Sequence, residues 1–233
     1  MRPTSSPSKE PLAIAVYRSI KDAIVTCELP PGSVVVEREL ASRHGVSKTP
    51  VREALNRLRE EGLVRTVPHK GTMISPITIQ DVQDTYYLRL LLEPEAAVLA
   101  SQRASETQVR GLRELHERMT AASPARVRSR QFRRNTEFHL AVAEASGNPK
   151  LTSAMYSLLT DVERFSNANH ARGDLRPCVR WDTLVDAIAA GDADLARNVT
   201  IEGIRFSRLQ LVEALMKEPD HTSHVSRGSH VSI

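Results

Sequence analysis

Helical periodicity runs through most of the 233-residue sequence and predicts a mainly α protein. Apolar residues recur every three or four positions in one segment after another, and the segments end at Gly- or Pro-containing stops such as LPPG and SGNP. The β-prone runs LVRTV and TMIS, joined by PHKG, predict one short β-hairpin. We therefore expect three helices and a hairpin in the N-terminal third, followed by an all-α bundle of about six helices.

The N-terminal third begins with an amphipathic helix from Pro11 to about Cys27. Its apolar residues fall at every fourth position: Leu12, Val16, Ile20 and Ile24. The run ERELASRHGVSKTPVREALNRLREEG, from Glu37 to Gly62, then predicts two short helices joined by a tight turn. The turn is predicted at Gly45, because a sharp turn needs a positive φ angle and glycine readily adopts one.

The second helix of this pair has one apolar face and one polar face. The apolar residues at helical spacing are Val51, Ala54, Leu55 and Leu58, and the polar ones near the start of the helix are Lys48, Thr49, Arg52 and Asn56. In helix-turn-helix proteins this end of the second helix enters the major groove of DNA. Arg bonds two acceptors on a guanine edge, whereas Lys supplies a mobile charge for phosphate. The alternative is a helical hairpin with a solvated charged face.

The hairpin that follows is predicted to be a wing. Its tip carries His69, Lys70 and Gly71, which together can approach a phosphate backbone or a minor groove closely. An ordinary exposed turn has a similar composition.

The positive charge is concentrated in the N-terminal third. Residues 1–75 hold 12 Lys and Arg against 8 Asp and Glu, whereas residues 76–233 hold 20 against 20. This distribution suits a module that binds a polyanion joined to a neutral module.

Cys27 and Cys178 fit no metal-binding spacing and are expected to be reduced thiols. The sequence has no membrane-spanning stretch and a polar N-terminus without a signal-peptide segment, so we expect a cytoplasmic protein.

These patterns divide the chain into five predicted parts. They are a disordered arm (1–10), a winged helix-turn-helix domain (11–75), a linker (76–78), a helical domain (79–216) and a disordered tail (217–233). The helices expected in the fourth part are Ile79 to Arg103, one opened by Ser105 with Gln108 at capping-box distance, Val127 to Ser146, Lys150 to Asn169, Val179 to Ala190 and Asp192 to Met216. Histidines of the tail (His221, His224 and His230) could chelate a metal, but a solvated tail is favoured.

The run PPGSVVVERELASRHGVSKTPVREALNRLREEGLVRTVPHKGT resembles the winged-helix DNA-binding domain of the GntR family of bacterial transcriptional regulators. The resemblance covers residues 11–75. It implies that DNA is contacted by Arg38, Lys48, Thr49, Arg52 and the wing residues His69, Lys70 and Gly71. The family usually has Arg where this chain has Lys48, so we expect Lys48 and Arg38 to bind phosphate and Arg52 to read a base.

The pieces TYYLRLLLEPEAAVLA, FHLAVAEASGNPKL and LVDAIAAGDADLAR resemble the helical effector-binding and dimerisation domain, called FCD, of the FadR-like branch of that family. Many such domains hold a divalent metal through an Asp and a His one helical turn apart and two further His. This chain has Asn135, His139, Trp181 and Gly203 at those positions. Only His139 is a usual ligand, so we expect the metal site to be lost and no cofactor to be bound.

The loss leaves two interpretations of His139. It could join a rearranged metal set with His170 or Glu202, or it could be a partly buried histidine bonded to Asn135, which we favour. Without a metal, the indole of Trp181 is expected to fill the space and make the pocket more apolar.

Arginines are the candidates for holding an organic acid in that pocket. They are Arg89 in RLLLE and the run of Arg126, Arg128, Arg130, Arg133 and Arg134. Arg89 and Arg134 are the two best placed to face inward. The predicted effector-binding residues are therefore Arg89, Arg134, Asn135, His139 and Trp181.

The sequence as a whole predicts a transcriptional regulator, either a repressor or an activator, with a repressor favoured. A homodimer would hold two winged helices on two-fold-related half-sites of an operator, and a small carboxylate would alter their separation. One alternative is a DNA-binding dimer that has lost ligand sensing. Another is a metal-dependent enzyme, for which the sequence offers no HExxH motif, nucleophile elbow or phosphate-binding loop.

Overall fold

The computed structural model of the chain describes residues 11–68, 71–120, 128–169 and 180–216, without the side chains of residues 128–131. Within those residues the protein has nine helices and one small sheet, which confirms the predicted fold class. The predicted arm and tail, and the wing-tip residues His69 and Lys70, lie outside the described residues.

The N-terminal third contains three helices and three strands. They are α1 (Leu12–Val25), β1 (Val34–Val35), α2 (Glu37–His44), α3 (Lys48–Glu60), β2 (Val64–Val67) and β3 (Gly71–Ile74). Gly45 ends α2 with a φ of 63°, so the tight turn between α2 and α3 uses the left-handed backbone that its sequence predicts.

Strand β1 was not predicted from the sequence. Val34 lies opposite Met73 and Val35 opposite Thr72, so β1 pairs antiparallel with β3 and gives the sheet the order β1-β3-β2. Two residues are too few to show the alternation that identifies a strand, and this pairing forms only when the chain has folded back on itself.

The helices α1 and α3 pack against each other and enclose the core of the N-terminal third. This core cluster includes Ile20, Ile24, Leu55, Leu58, Leu63 and Ile74, all nearly inaccessible to solvent. Burial of these side chains leaves the other side of α3 exposed. The core thus fixes which residues of α3 face outward.

The remaining described helices form the bundle. They are α4 (Ile79–Arg103), α5 (Glu106–Thr120), α6 (Arg128–Ala145), α7 (Pro149–Asn169), α8 (Trp181–Ala190) and α9 (Ala193–Met216). Two of the predicted starts are held by reciprocal capping bonds, between Thr78 and Asp81 and between Ser105 and Gln108. No described helix is long and apolar enough to cross a membrane.

Helices α4 and α9 are antiparallel neighbours. Tyr86 Oη lies 2.6 Å from Ser207 Oγ, and Arg197 Nη2 lies 2.9 Å from Glu95 Oε2. The residue numbers therefore increase in opposite directions along the two helices. A buried cluster that includes Tyr86 joins this pair to α7. The bundle contacts the N-terminal third through α7, where Asn167 Nδ2 donates a 2.9 Å hydrogen bond to the carbonyl oxygen of Val25.

Candidate DNA-reading surface and effector site

The polar residues at the start of α3 share one exposed face. Lys48, Thr49, Arg52 and Asn56 are all exposed, whereas Val51 and Leu55 between them are buried. Residues four apart lie one above the other on a helix, so Lys48, Arg52 and Asn56 form a single row. Arg38 on α2 is also exposed.

Two contacts orient this row. Arg52 Nε donates to Glu37 Oε2 at 2.7 Å, although the arginine side chain remains 64% exposed. The bond holds Arg52 across from α3 to the first turn of α2 and leaves both terminal nitrogens of its guanidinium outside this contact. Asn56 Oδ1 accepts a 2.9 Å hydrogen bond from Arg59 Nη1. Glu37 was not predicted as part of the site, because its link to Arg52 exists only after α2 and α3 have packed.

Gly71 is the one predicted wing-tip residue that lies within the described part of the chain, and its backbone conformation is one that favours glycine. Gly71 has a φ of 94° and lies at the start of β3, opposite Val67. A side chain there would be strained because residues other than glycine rarely adopt that conformation.

A second group of candidate residues meets inside the bundle around one carboxylate. Arg89 and Glu93 lie one turn apart on α4 and are each 2% exposed. Arg89 Nε donates to Glu93 Oε1, and Arg89 Nη2 lies 3.2 Å from Glu93 Oε2. His139 of α6 reaches the same carboxylate, with Nδ1 2.8 Å from Glu93 Oε2.

Trp181, the first residue of α8, completes this cluster. Its ring meets the His139 ring edge-on with the centroids 4.6 Å apart, and lies 5.0 Å from the Phe138 ring. The indole therefore packs directly against the imidazole. We call Arg89, Glu93, His139 and Trp181 the buried cluster.

The charges of the buried cluster support each other. Burial alone would raise the pKa of Glu93, but Arg89 and His139 lower it to about 2. Burial alone would lower the pKa of Arg89, but Glu93 raises it above its usual range. The pair is therefore ionised throughout the physiological pH range, with the Tyr86 ring 4.6 Å from the guanidinium carbon.

Two donors of the buried cluster have no hydrogen-bond partner among the described residues. Arg89 Nη1 and Trp181 Nε1 are both inaccessible to solvent. Buried donors are nearly always paired in folded proteins, so an unpaired one calls for an explanation. Both atoms could donate to an acceptor-bearing ligand.

The other two predicted effector residues lie elsewhere on α6. Arg134 Nη1 donates a 2.7 Å hydrogen bond to the carbonyl oxygen of Arg118, near the end of α5. Asn135 is half-buried one turn before His139. The bond that the structure gives His139 Nδ1 goes to Glu93, a residue not predicted as part of the site. The i, i+4 spacing of Arg89 and Glu93 was the signal that could have revealed it.

The described residues do not fit the metal site that the FCD domain implies. Trp181 and Gly203 offer no metal-binding side chain, and the Nδ1 atom of His139 is bonded to Glu93. Glu202, the alternative ligand, is exposed and pairs with Arg180 at 2.6 Å. His170 lies outside the described residues. Among those described, no group of three His, Cys, Asp or Glu is arranged to hold a metal ion.

A winged helix-turn-helix with a polar recognition helix, joined to a helical bundle around a buried charged cluster, defines the class of ligand-responsive DNA-binding regulators. The model of the bacterial regulatory proteins of the gntR family matches residues 12–74, and the FCD domain model matches residues 84–206. The chain belongs to the GntR family of bacterial transcriptional regulators and carries an FCD domain. These proteins are transcriptional regulators and not enzymes.

Two relatives agree with this assignment, and a solved structure shares the fold. An uncharacterised HTH-type regulator of Agrobacterium vitis is 43% identical over 83 residues, 36% of this chain but less than half (48%) of that relative. A probable D-xylose utilization operon repressor of Paenarthrobacter nicotinovorans is 30% identical and matches 82% of this chain and 86% of that protein. The E. coli McbR/YncC structure superposes with a TM-score of 0.76 at 22% identity, over 89% of this chain and 100% of that one.

The buried cluster predicts a large difference between two glutamates of α4. Glu93→Gln leaves Arg89 charged and uncompensated in the interior, so we expect the free energy of unfolding to fall by about 3–5 kcal/mol. Urea unfolding at pH 7 measures this change. The matched control is Glu95→Gln, which removes an exposed pair with Arg197 and should cost less than about 1 kcal/mol. Equal losses in the two variants would contradict the electrostatic account of the cluster.

Proposed function

We propose that this regulator is a cytoplasmic repressor that binds a two-fold operator as a homodimer and responds to a small carboxylate without a metal. The proposed DNA-binding domain comprises residues 11–75 and the effector domain residues 79–216, with a linker at 76–78. The observation that carries the proposal is that one chain has both an exposed polar face on α3 and, in the bundle, a buried cluster with two hydrogen-bond donors that lack partners among the described residues.

Within the DNA-binding domain, Arg52 is proposed to read a base. It lies near the start of α3, and its bond to Glu37 limits the directions that the guanidinium can take. Arg38 and Lys48 are proposed to bind phosphates, and Thr49, Asn56 and the wing residues His69, Lys70 and Gly71 to add further contacts. Phosphate contacts supply affinity on any sequence, whereas base contacts discriminate between sequences.

This division of roles predicts different effects for two substitutions. The operator is first obtained by capturing and sequencing genomic fragments that the protein binds. Arg52→Ala should weaken binding to that site by about 5- to 150-fold with little change on random DNA. Lys48→Ala should weaken both similarly and reduce the salt slope by about one. Binding is measured by fluorescence anisotropy at several salt concentrations.

Arg113→Ala is the control, because it removes one positive charge from α5, where the arginine pairs with Asp186. It should leave both affinities nearly unchanged. Equal losses on operator and random DNA for Arg52→Ala would contradict the base-reading role.

The effector is proposed to be an organic acid bound at the buried cluster. Glu93 occupies one edge of the Arg89 guanidinium, and Nη1 on the other side remains unpaired among the described residues. Trp181 Nε1 offers a second donor. The indole and the His139 ring add apolar surface where the family's ligands hold a metal. A carboxylate with a short apolar body matches these groups.

Trp181 is the only tryptophan of the chain, so its emission reports on this cluster alone. Titration with a panel of small mono- and dicarboxylic acids should yield at least one that shifts the emission and changes operator affinity. Its amide analogue should bind at least about tenfold more weakly, because it lacks the charge that pairs with Arg89.

The same titration after treatment with EDTA tests the absence of a metal. We expect an unchanged response. Loss of the response with recovery on adding Zn²⁺ would contradict metal-free recognition. A complete lack of response to the panel would favour the alternative, a DNA-binding dimer without ligand sensing.

An exposed apolar patch on the bundle supports the dimer. It is formed by Tyr87, Leu88 and Leu91 of α4 with Phe206 and Leu209 of α9, all substantially exposed. The antiparallel packing brings Leu88 and Phe206 to about the same level of the two helices. A surface of this kind commonly marks a protein interface, and a second copy related by a two-fold axis matches the symmetry of operators.

The patch predicts the effect of one surface charge. Leu91→Asp should convert a particle of twice 25.9 kDa into a monomer of that mass, because a carboxylate buried in an apolar interface cannot be paired. Light scattering after size-exclusion chromatography measures the mass. Leu12→Asp, at an exposed leucine on α1, is the control and should leave the mass unchanged. A dimer that survives Leu91→Asp would place the interface elsewhere.

A further inference from the structure

Helix α6 is linked both to the buried cluster and to the DNA-binding domain. Arg133 on this helix forms an ion pair with Asp22 of α1. Six residues later, His139 contacts Glu93 and Trp181. At a rise of 1.5 Å per residue, the two positions are about 9 Å apart along the helix axis. A shift of α6 at His139 therefore displaces Arg133.

Helix α1 transmits such a shift to the recognition helix. Lys21 Nζ lies 2.7 Å from Glu61 Oε2, and Tyr17 Oη lies 2.5 Å from Glu61 Oε1, immediately after α3. The two helices also share the buried core cluster that contains Ile20 and Leu55. Helices α1 and α3 therefore move together.

Arg133 lies between two carboxylates that belong to different parts of the protein. Asp22 is on α1, whereas Glu163 is on α7 of the bundle, with its Oε1 atom 3.4 Å from Arg133 Nε. Burial raises the pKa of Glu163, and Arg133 opposes that rise. An arginine that gives up Asp22 keeps Glu163 as a partner, and the carboxylate of Asp22, which is 54% exposed, is then solvated by water.

The cleft around Arg133 is lined by charged side chains that already contact one another. It has a volume of about 520 Å³ between α1, α3, α6 and α7. Lys21 and Arg57 in its wall both contact Glu61, and Arg133 contacts Asp22 and Glu163. The cleft leaves space for Arg133 to change its contacts.

We infer that Arg133 is the positioning residue through which the effector acts on DNA binding: its ion pair with Asp22 sets the orientation of α1 and α3 relative to the bundle. The role of the effector in this inference rests on the effector site proposed above, whereas the role of the ion pair does not. Arg133 and Asp22 are 47% and 54% exposed. Loss of an exposed pair shifts an equilibrium by only about two- to fivefold, which does not exceed the coupling of about 5- to 150-fold that allosteric ligands supply.

A second arginine, Arg164, has a different role. It is buried on α7 and donates through Nη2 to the carbonyl oxygen of Ser75, the residue after β3. Its own carbonyl oxygen lies 3.8 Å from the Cys27 thiol. These contacts attach the base of the wing and the end of α1 to α7, and they make Cys27 a reporter of the separation between α1 and α7.

The first experiment needs no ligand. With Cys178→Ser in the background, only Cys27 is alkylated, because the chain has two cysteines. Asp22→Asn should raise the alkylation rate of Cys27 by about two- to fivefold, and Asp22→Glu should keep it near the parent value. Arg133→Gln should have the same effect as Asp22→Asn, and the double variant should be no faster than either single one. Circular dichroism checks that each variant is folded.

Glu28→Gln is the matched control. It removes a carboxylate adjacent to Cys27 that pairs with Arg43 within the same domain, so it corrects for the loss of a nearby negative charge. Asp22→Asn with the same alkylation rate as Glu28→Gln, or additive rates in the double variant, would overturn the inference.

The second experiment uses the carboxylate identified by Trp181 emission. Arg133→Gln should still bind it, as the emission shift reports, but the change in operator affinity, expected to be about two- to fivefold in the parent protein, should be lost. A full operator response in Arg133→Gln would show that the effector acts by another route. If no carboxylate shifts the emission of the parent protein, the effector proposal fails, and the alkylation rates alone decide the role of Arg133.

Discussion

The bundle depends on the interactions of one carboxylate, that of Glu93, with Arg89 and His139. It compensates the buried charge of Arg89 on its own helix and bonds His139 of α6, which in turn packs against Trp181 of α8. Three segments that are distant in the chain, on α4, α6 and α8, therefore meet at the His139 side chain, which Glu93 bonds. A buried charge is tolerated only when paired, so the relative positions of α4 and α6 follow from the need to compensate Arg89.

The same carboxylate changes the interpretation of the lost metal ligands. Asn135, Trp181 and Gly203 stand where the resemblance places three of the four ligands, which suggested a more apolar pocket whose space the indole of Trp181 fills. The structure places Trp181 against His139 and uses Glu93 to fix the imidazole. The cluster is thus organised by hydrogen bonds and ring contacts, and it retains two buried donors that the described residues do not satisfy.

Features controlled by local sequence could be predicted well. Helix starts at Thr78 and Ser105 follow from capping residues three positions apart, and the turn at Gly45 follows from its backbone freedom. Features controlled by tertiary pairing could not. Strand β1 exists only because β3 returns beside it, and the Glu37 bond to Arg52 requires α2 and α3 to be packed. Arg134 reaches the end of α5, and a periodicity argument cannot state which neighbour a half-buried arginine will meet.

The strengths of the interactions are distributed so that the protein can respond without unfolding. The Arg89–Glu93 pair is buried, and separating it would leave a charge in the interior, so it holds the bundle fixed. The pair of Arg133 with Asp22 is half-exposed, and water can replace either partner. Breaking the pair of Arg133 with Asp22 therefore costs far less than breaking the pair of Arg89 with Glu93. On the proposed effector site, a ligand that adds one contact at Trp181 would supply enough free energy to break the exposed pair and too little to break the buried one. On this proposal, the difference between the two pairs, more than the identity of any single ligand, would allow a signal in the bundle to reach α3.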